Sequence, residues 1–205
     1  GLPRNDIFFN YTNDDIIRIK NKLRIKESTK VLIYAPTFRN EKSNDPYAID
    51  TTRLLATLET RFGGDWMILV RMHPCFVWYG KAEFEYSDKV VDVTDYPDMQ
   101  DLLLISDVCI SDYSSTMFDF NLMHRPVFLF TTDIPEYQRM RGLKDWFFKV
   151  PFPFCHNNDE LNNAIMNFDE EEYQAACKEF DKMYGSLENG TATKAVVDRL
   201  ETIMR

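Results

Sequence analysis

Residues 106–130, Ser106-Asp-Val-Cys-Ile-Ser-Asp-Tyr-Ser-Ser-Thr-Met-Phe-Asp-Phe-Asn-Leu-Met-His-Arg-Pro-Val-Phe-Leu-Phe130, decide the fold class. An apolar run at 107–111 ends in the polar cluster Asp112-Tyr-Ser-Ser115. A segment at 114–123 follows, whose apolar side carries Met117, Phe118 and Leu122, and a second apolar run closes the stretch at 126–130. Short runs rich in β-branched and aromatic residues, bounded by polar residues, read as buried strands, and the segment between them has helical spacing. Strand, helix and strand in that order require a parallel pairing with a right-handed crossover.

The same rhythm extends outward. Apolar runs recur at 31–35, 66–71 and 89–93, separated by helix-like segments at 51–62, with leucines at 54, 55 and 58, and at 99–106, with Leu102 and Leu103. A helix is expected at 14–23 before the first strand, and three more at 159–168, 170–184 and 191–204 after the last. The expected class is α/β: a Rossmann-like parallel sheet flanked by helices. Pro151-Phe-Pro-Phe154 is the clearest break, because each proline removes a backbone donor and restricts its predecessor. It reads as a crossover. No internal repeat or low-complexity linker interrupts the chain.

Composition bounds the function. The chain has 205 residues, 44% of them hydrophobic, with 16 Phe, 10 Tyr and 3 Trp, enough for a substantial core. No run approaches the roughly 20 apolar residues of a membrane span. The opening lacks a charged segment followed by an apolar one, so no secretory signal is read there. A net charge of -9 disfavours broad nucleic-acid binding, so an anionic ligand must be held by a local cluster. Cys75, Cys109, Cys155 and Cys177 are far apart in sequence, without a CxxC pair, and read as free thiols of a cytoplasmic protein. Neither GxxxxGK[ST], GxGxxG nor GxSxG occurs, which disfavours P-loop NTPases, dinucleotide-dependent dehydrogenases and serine hydrolases.

In open parallel sheets, ligands bind beyond the carboxyl ends of the strands. The residues expected there are Pro36-Thr-Phe-Arg39, Met72-His-Pro74, Thr94-Asp-Tyr96 and Asp112-Tyr-Ser-Ser115. Ser114 and Ser115 open a helix, where unpaired backbone donors suit a phosphate, although one serine is also expected to cap that helix. Arg39 offers a two-pronged grip on phosphate, and Thr37 a hydroxyl. His73, beside Arg71, would donate to a pyrophosphate oxygen or protonate a leaving group. His124 and His156 read as structural or solvated. The segment from Asp133 to Gly142, with Tyr137 and Arg141, could reach a nucleotide or diol, though capping and surface pairing explain most of it.

The ordered series Gly1-Leu-Pro-Arg-Asn-Asp6, Tyr34-Ala-Pro-Thr-Phe-Arg39, Arg71-Met-His-Pro74, Ser106 to Ser115, Phe118-Asp119, Tyr137, Arg141-Gly142 and Glu188-Asn-Gly190 resembles the CDP-glycerol glycerophosphotransferase family. The resemblance implies the donor-binding, C-terminal half of a two-domain GT-B fold. Residues 1–205 would form one nucleotide-donor domain: 1–30 a junction and leading helix, 31–150 the Rossmann-like core, 151–205 the C-terminal helices. The acceptor domain, absent from this chain, would supply the acceptor site and the membrane-surface contacts of a peripheral enzyme.

The implied reaction is attack by a hydroxyl of a polyol-phosphate or glycan acceptor on the β-phosphorus of CDP-glycerol, or a related CDP-alcohol, releasing CMP. By motif, His73 would be catalytic. Arg39, Thr37, Arg71, Ser114, Ser115 and Arg141 would bind the donor, and Asp112 and Asp119 would bind the glycerol hydroxyls or only stabilise their loop. Residues 143–159 lack the Pro-Gly-Pro pattern of many relatives, which leaves glycerol against ribitol open. No dense carboxylate cluster points to a metal site, no cofactor is required, and Mg²⁺ could be carried by the substrate. Two other readings stand beside this one: a UDP-sugar-dependent GT-B transferase or epimerase, and a non-catalytic docking domain.

Overall fold

The structure, a computed structural model, describes residues 1–39, 47–73 and 84–204. Its centre is a six-stranded sheet built from β1 (Lys30–Tyr34), β2 (Trp66–Val70), β3 (Val90–Asp92), β4 (Val108–Ser111), β5 (Val127–Phe130) and β6 (Phe154–Cys155), in the spatial order β3-β2-β1-β4-β5-β6. Every pairing is parallel. Val31, Leu32, Ile33 and Tyr34 are all buried, as are all four residues of β4 and of β5. That is the signature of strands covered on both faces, and it explains why they read as continuous apolar runs rather than alternating ones.

Nine α-helices are described: α1 (Ile7–Asn10), α2 (Asn13–Lys22), α3 (Thr51–Phe62), α4 (Met99–Ile105), α5 (Thr116–Asn121), α6 (Ile134–Arg141), α7 (Asn158–Met166), α8 (Glu170–Tyr184) and α9 (Ala192–Met204). Their ends follow local chemistry. Thr12 and Asp15 form a reciprocal capping box at α2, Asp50 caps α3, and Asp169 caps α8. Gly63 and Gly185 end α3 and α8 at positive φ. Trp66, Tyr34, Phe120, Phe128 and Phe152 are the largest fully buried side chains and knit the helices to the sheet. Among the described residues, no helix is long and apolar enough to cross a membrane.

Two expectations need correction. Pro151-Phe-Pro-Phe154, expected as a crossover, delivers β6, which pairs with β5 through Leu129↔Phe154 and Phe130↔Cys155. The strand lies at the sheet edge, where prolines are tolerated, and Pro153 contributes its carbonyl to the Leu129 N–H (2.9 Å). The helix expected at 114–123 is confined to α5, because Ser114 and Ser115 belong to the turn that precedes it.

Candidate functional site

Strand β1 pairs with β2 on one side and β4 on the other, so the sheet order reverses between them and opens a crevice at their carboxyl ends. The aligned register, Tyr34 opposite both Val70 and Ile110, brings the three following loops level. A cavity of about 320 Å³ lies there, lined by Ala35, Pro36 and Thr37 after β1, Arg71, Met72 and His73 after β2, Ser114 and Thr116 after β4, and Met99 at the start of α4. Four of the residues singled out in the sequence, Thr37, Arg71, His73 and Ser114, therefore meet in one place. Thr116 and Met99 join them, and Thr116 was within reach of sequence reasoning because it directly follows Ser114 and Ser115 in the same hydroxyl-rich run.

The floor of the crevice is a buried charge network. The Asp112 carboxylate accepts from the Thr37 N–H (2.9 and 3.0 Å), the Thr37 hydroxyl (2.6 Å) and the Tyr113 N–H (2.6 Å). Arg39 reaches Asp112 through Nη1 (2.8 Å) and grips Asp133 with Nε (2.8 Å) and Nη2 (3.1 Å), while its Nη1 also donates to the Thr37 carbonyl (2.5 Å). The guanidinium carbon sits 4.9, 5.0 and 5.7 Å from the ring centres of Tyr113, Tyr137 and Tyr47. Tyr113 and Tyr137 stack at 3.8 Å, and the Tyr113 hydroxyl donates to Asp133 (2.9 Å).

Burial alone would disfavour the Arg39 charge, but the hydrogen bonds to Asp133 and the charge of Asp112 outweigh it and hold the guanidinium firmly protonated. At Asp133 burial pushes the pKa up, and the hydrogen bonds from Arg39 and its charge bring the net value below the ordinary one. Burial drives Tyr47 up to about 12.

This network gives Asp112 the loop-stabilising role that was one of its two expected roles, and it pairs Arg39 within the protein. Arg39 donates to two carboxylates and a carbonyl and is not among the residues lining the cavity, and Asp112 is 1% exposed. Asp133, which opens the segment expected to reach a nucleotide or diol or else to cap a helix and pair at the surface, is the carboxylate that completes the network. Arg71 lines the crevice, but its Nη1 donates to the carbonyls of Val93 (3.0 Å) and Tyr96, tying down the loop after β3. His73 is exposed at the crevice, with its ring 6.1 Å from that of Phe38; Pro74 and Cys75 lie outside the described residues. The Ser114 hydroxyl bonds Thr116 Oγ1 (2.9 Å) and accepts from the Thr116 N–H (3.3 Å), whereas Ser115 occupies the cap position of α5 without a side-chain cap bond.

Asp119 and Arg141 are not among the residues lining the crevice. Asp119 binds the chain's opening segment, accepting from Arg4 Nε (3.2 Å) and Asn5 Nδ2 (2.9 Å). The same segment meets the end of the chain: Glu188 accepts the Leu2 N–H (2.9 Å), and Asp6 accepts the N–H groups of Ala192 (2.9 Å) and Thr193 (2.7 Å) at the start of α9. Arg141 ends α6 on an exposed surface. His124 Nε2 meets Asp181 (2.7 Å) and His156 Nδ1 meets the Thr131 carbonyl (3.0 Å). Among the described residues, no three His, Cys, Asp or Glu side chains gather as a metal-holding group.

A family model described as CDP-Glycerol:Poly(glycerophosphate) glycerophosphotransferase matches residues 1–202. The chain belongs to this family. Within it, the chain is 36% identical over 204 residues to a teichoic acid glycerol-phosphate transferase of Staphylococcus aureus (strain NCTC 8325 / PS 47), covering 96% of this chain and 52% of that protein. It is 32% identical over 209 residues to a teichoic acid poly(glycerol phosphate) polymerase of Staphylococcus epidermidis, covering 97% of this chain and 28% of that protein. Among solved structures, a variant of the wall teichoic acid polymerase TagF soaked for 15 minutes with CDPG superposes with a TM-score of 0.79 at 31% identity, over 98% of this chain and 51% of the other. The chain thus spans about half, or less, of the length of these glycerophosphotransferase relatives.

Proposed function

We propose that this chain supplies the CDP-alcohol site of an enzyme that transfers glycerol phosphate, or a related polyol phosphate, to a hydroxyl acceptor in the synthesis of a teichoic-acid-like polymer. The observation that carries the reading is the crevice at the ends of β1, β2 and β4. It gathers Thr37, Arg71, His73 and Ser114 in a chain whose family is described by transfer from CDP-glycerol. The diphosphate would lie across the crevice, with the Arg71 charge beside it and the Thr116 hydroxyl as a donor, since the O–H groups of Thr37 and Ser114 are given to Asp112 and Thr116 and hold the walls in place; Ser115 stands at the rim. His73 contacts the pyrophosphate and protonates the departing CMP.

In the transfer, the acceptor oxygen forms a bond to the β-phosphorus, the bond from that phosphorus to the bridging oxygen breaks, and CMP leaves with the electron pair. Such chemistry depends on positioning and charge neutralisation more than on covalent participation of the protein. The acceptor site, the membrane-surface contacts and the attacking hydroxyl's base belong to the part of the relatives' length that this chain does not span. The full-length enzyme would work as a peripheral protein on the cytoplasmic face of the membrane.

Calorimetric titration with CDP-glycerol, CDP-ribitol, CMP and UDP-N-acetylglucosamine tests the assignment. The expected result is cytidine-selective binding that weakens about tenfold with His73→Ala, the loss of one hydrogen bond to a charged group. Preference for the UDP-sugar, or binding indifferent to His73, contradicts it.

A further inference from the structure

We infer that Asp133 is a positioning residue for the crevice, acting through Arg39 and Tyr113 to fix the two walls that would hold the diphosphate. The inference rests on the donor-site reading above. Asp133 occupies the cap position of α6, where an aspartate ordinarily accepts an N–H of the first turn, yet its side chain makes no cap hydrogen bond. The carboxylate instead turns inward and takes three donors: Arg39 Nε and Nη2 and the Tyr113 hydroxyl. An aspartate that forgoes its own helix end in favour of a buried network is performing a task outside that helix.

Two chains of contact run from it to the crevice. The first passes through Arg39 to Asp112, which holds both the N–H and the hydroxyl of Thr37, a lining residue. The second passes through Tyr113, whose N–H is fixed on Asp112 and whose next neighbour in sequence, Ser114, lines the opposite wall. Asp133 thus joins the loops after β1, β4 and β5 at a single point, while none of its own atoms line the crevice.

The charges make the inference testable by sign. Two carboxylates share one guanidinium, so the network carries a net negative charge beside a site for an anion. If Asp133 acted on the ligand only through its charge, neutralising it would strengthen diphosphate binding. If it acts by position, neutralising it weakens binding, because Arg39 and Tyr113 lose their common anchor.

The test is CDP-glycerol affinity of Asp133→Asn, Tyr113→Phe and Thr37→Ala, alone and combined, measured well below each variant's melting temperature. Tyr113→Phe keeps every charge and the ring, and so covers the case in which Asp133→Asn folds poorly. The inference expects about tenfold weaker binding for Asp133→Asn, a smaller loss for Tyr113→Phe, and less than additive losses when Asp133→Asn is combined with Thr37→Ala. Unchanged or tighter binding by the folded Asp133 and Tyr113 variants, with the unsubstituted chain binding normally, overturns the inference and leaves the donor site standing. Absence of binding by the unsubstituted chain overturns both.

Discussion

At the scale of single residues, the site is decided by which charges are already satisfied. Arg39 and Asp112 occupy strand ends and carry the right chemistry for a phosphate and a diol, which is why sequence alone offers them as ligand-binding groups. What the sequence does not display is that residues 39, 112 and 133, far apart in the chain, fold onto one another. A buried guanidinium has to be paired, and the partnership with Asp133 was hidden because the segment it opens reads as a nucleotide or diol contact or as an ordinary helix cap. His73, Thr37 and Ser114 were legible because residues just beyond buried strands must emerge at the crevice.

The Asp133 carboxylate also sets a pH dependence. Its native pKa is held below the ordinary 3.8, so the stabilisation it contributes is fully present above that value and is lost as pH falls through the lower native one. Asp133→Asn should cost roughly 2 kcal/mol at pH 7, the weight of hydrogen bonds to a charged group. It should also flatten the acid side of the stability profile. Urea unfolding of both proteins between pH 7 and pH 3 measures this, and parallel profiles below pH 4 would contradict it.

At the scale of elements, the long periodic helices α3 and α8 were readable to the residue, and the strands to within one or two, since continuous apolar runs bounded by polar residues leave little choice. Elements without such a pattern escaped. Helix α6 buries none of its residues, so no apolar stripe announces it. Strand β6 is two residues long and follows two prolines. The contact between the chain's two ends was equally silent in the sequence, although both partners, Gly1 to Asp6 and Glu188 to Gly190, stood out as motifs.

Gly190 shows why one of those motif positions is glycine. Its φ is +76°, and a Cβ placed there would lie 2.6 Å from Cβ of Phe9, beside Asn10, whose Nδ2 donates to the Gly190 carbonyl (2.8 Å). Gly190→Ala should therefore destabilise the protein by on the order of 1–3 kcal/mol. Thermal melting checks this directly, and an unshifted midpoint would mean that the two ends do not pack as described.

At the scale of the whole molecule, the reversal of strand order beside β1 places the crevice, and the buried sheet around it makes the fold cooperative. The cysteines report on that cooperativity. Cys109, Cys155 and Cys177 are buried free thiols, and burial pushes Cys155 up to about 12 and Cys177 to about 11, far from the thiolate form at neutral pH. All three should resist a thiol reagent at pH 7 until the chain unfolds, with mass spectrometry locating the modified residues. Rapid modification of Cys109 in the folded protein would contradict the packing of β4. The family reading agrees with the architecture at this scale, because most of the motifs fall at the loops around the crevice or at the contact that joins the chain's ends, with Arg141-Gly142 at the exposed end of α6 standing apart.

The most direct test of the central claim is a crystal structure of this chain soaked with CDP-glycerol. The diphosphate should appear between Thr37, Arg71, His73 and Ser114, with Arg39 still paired to Asp112 and Asp133. Ligand density elsewhere, such as the separate cavity of about 470 Å³ lined by Phe118, Trp146 and Tyr184, with the crevice at β1, β2 and β4 empty, would contradict the assignment.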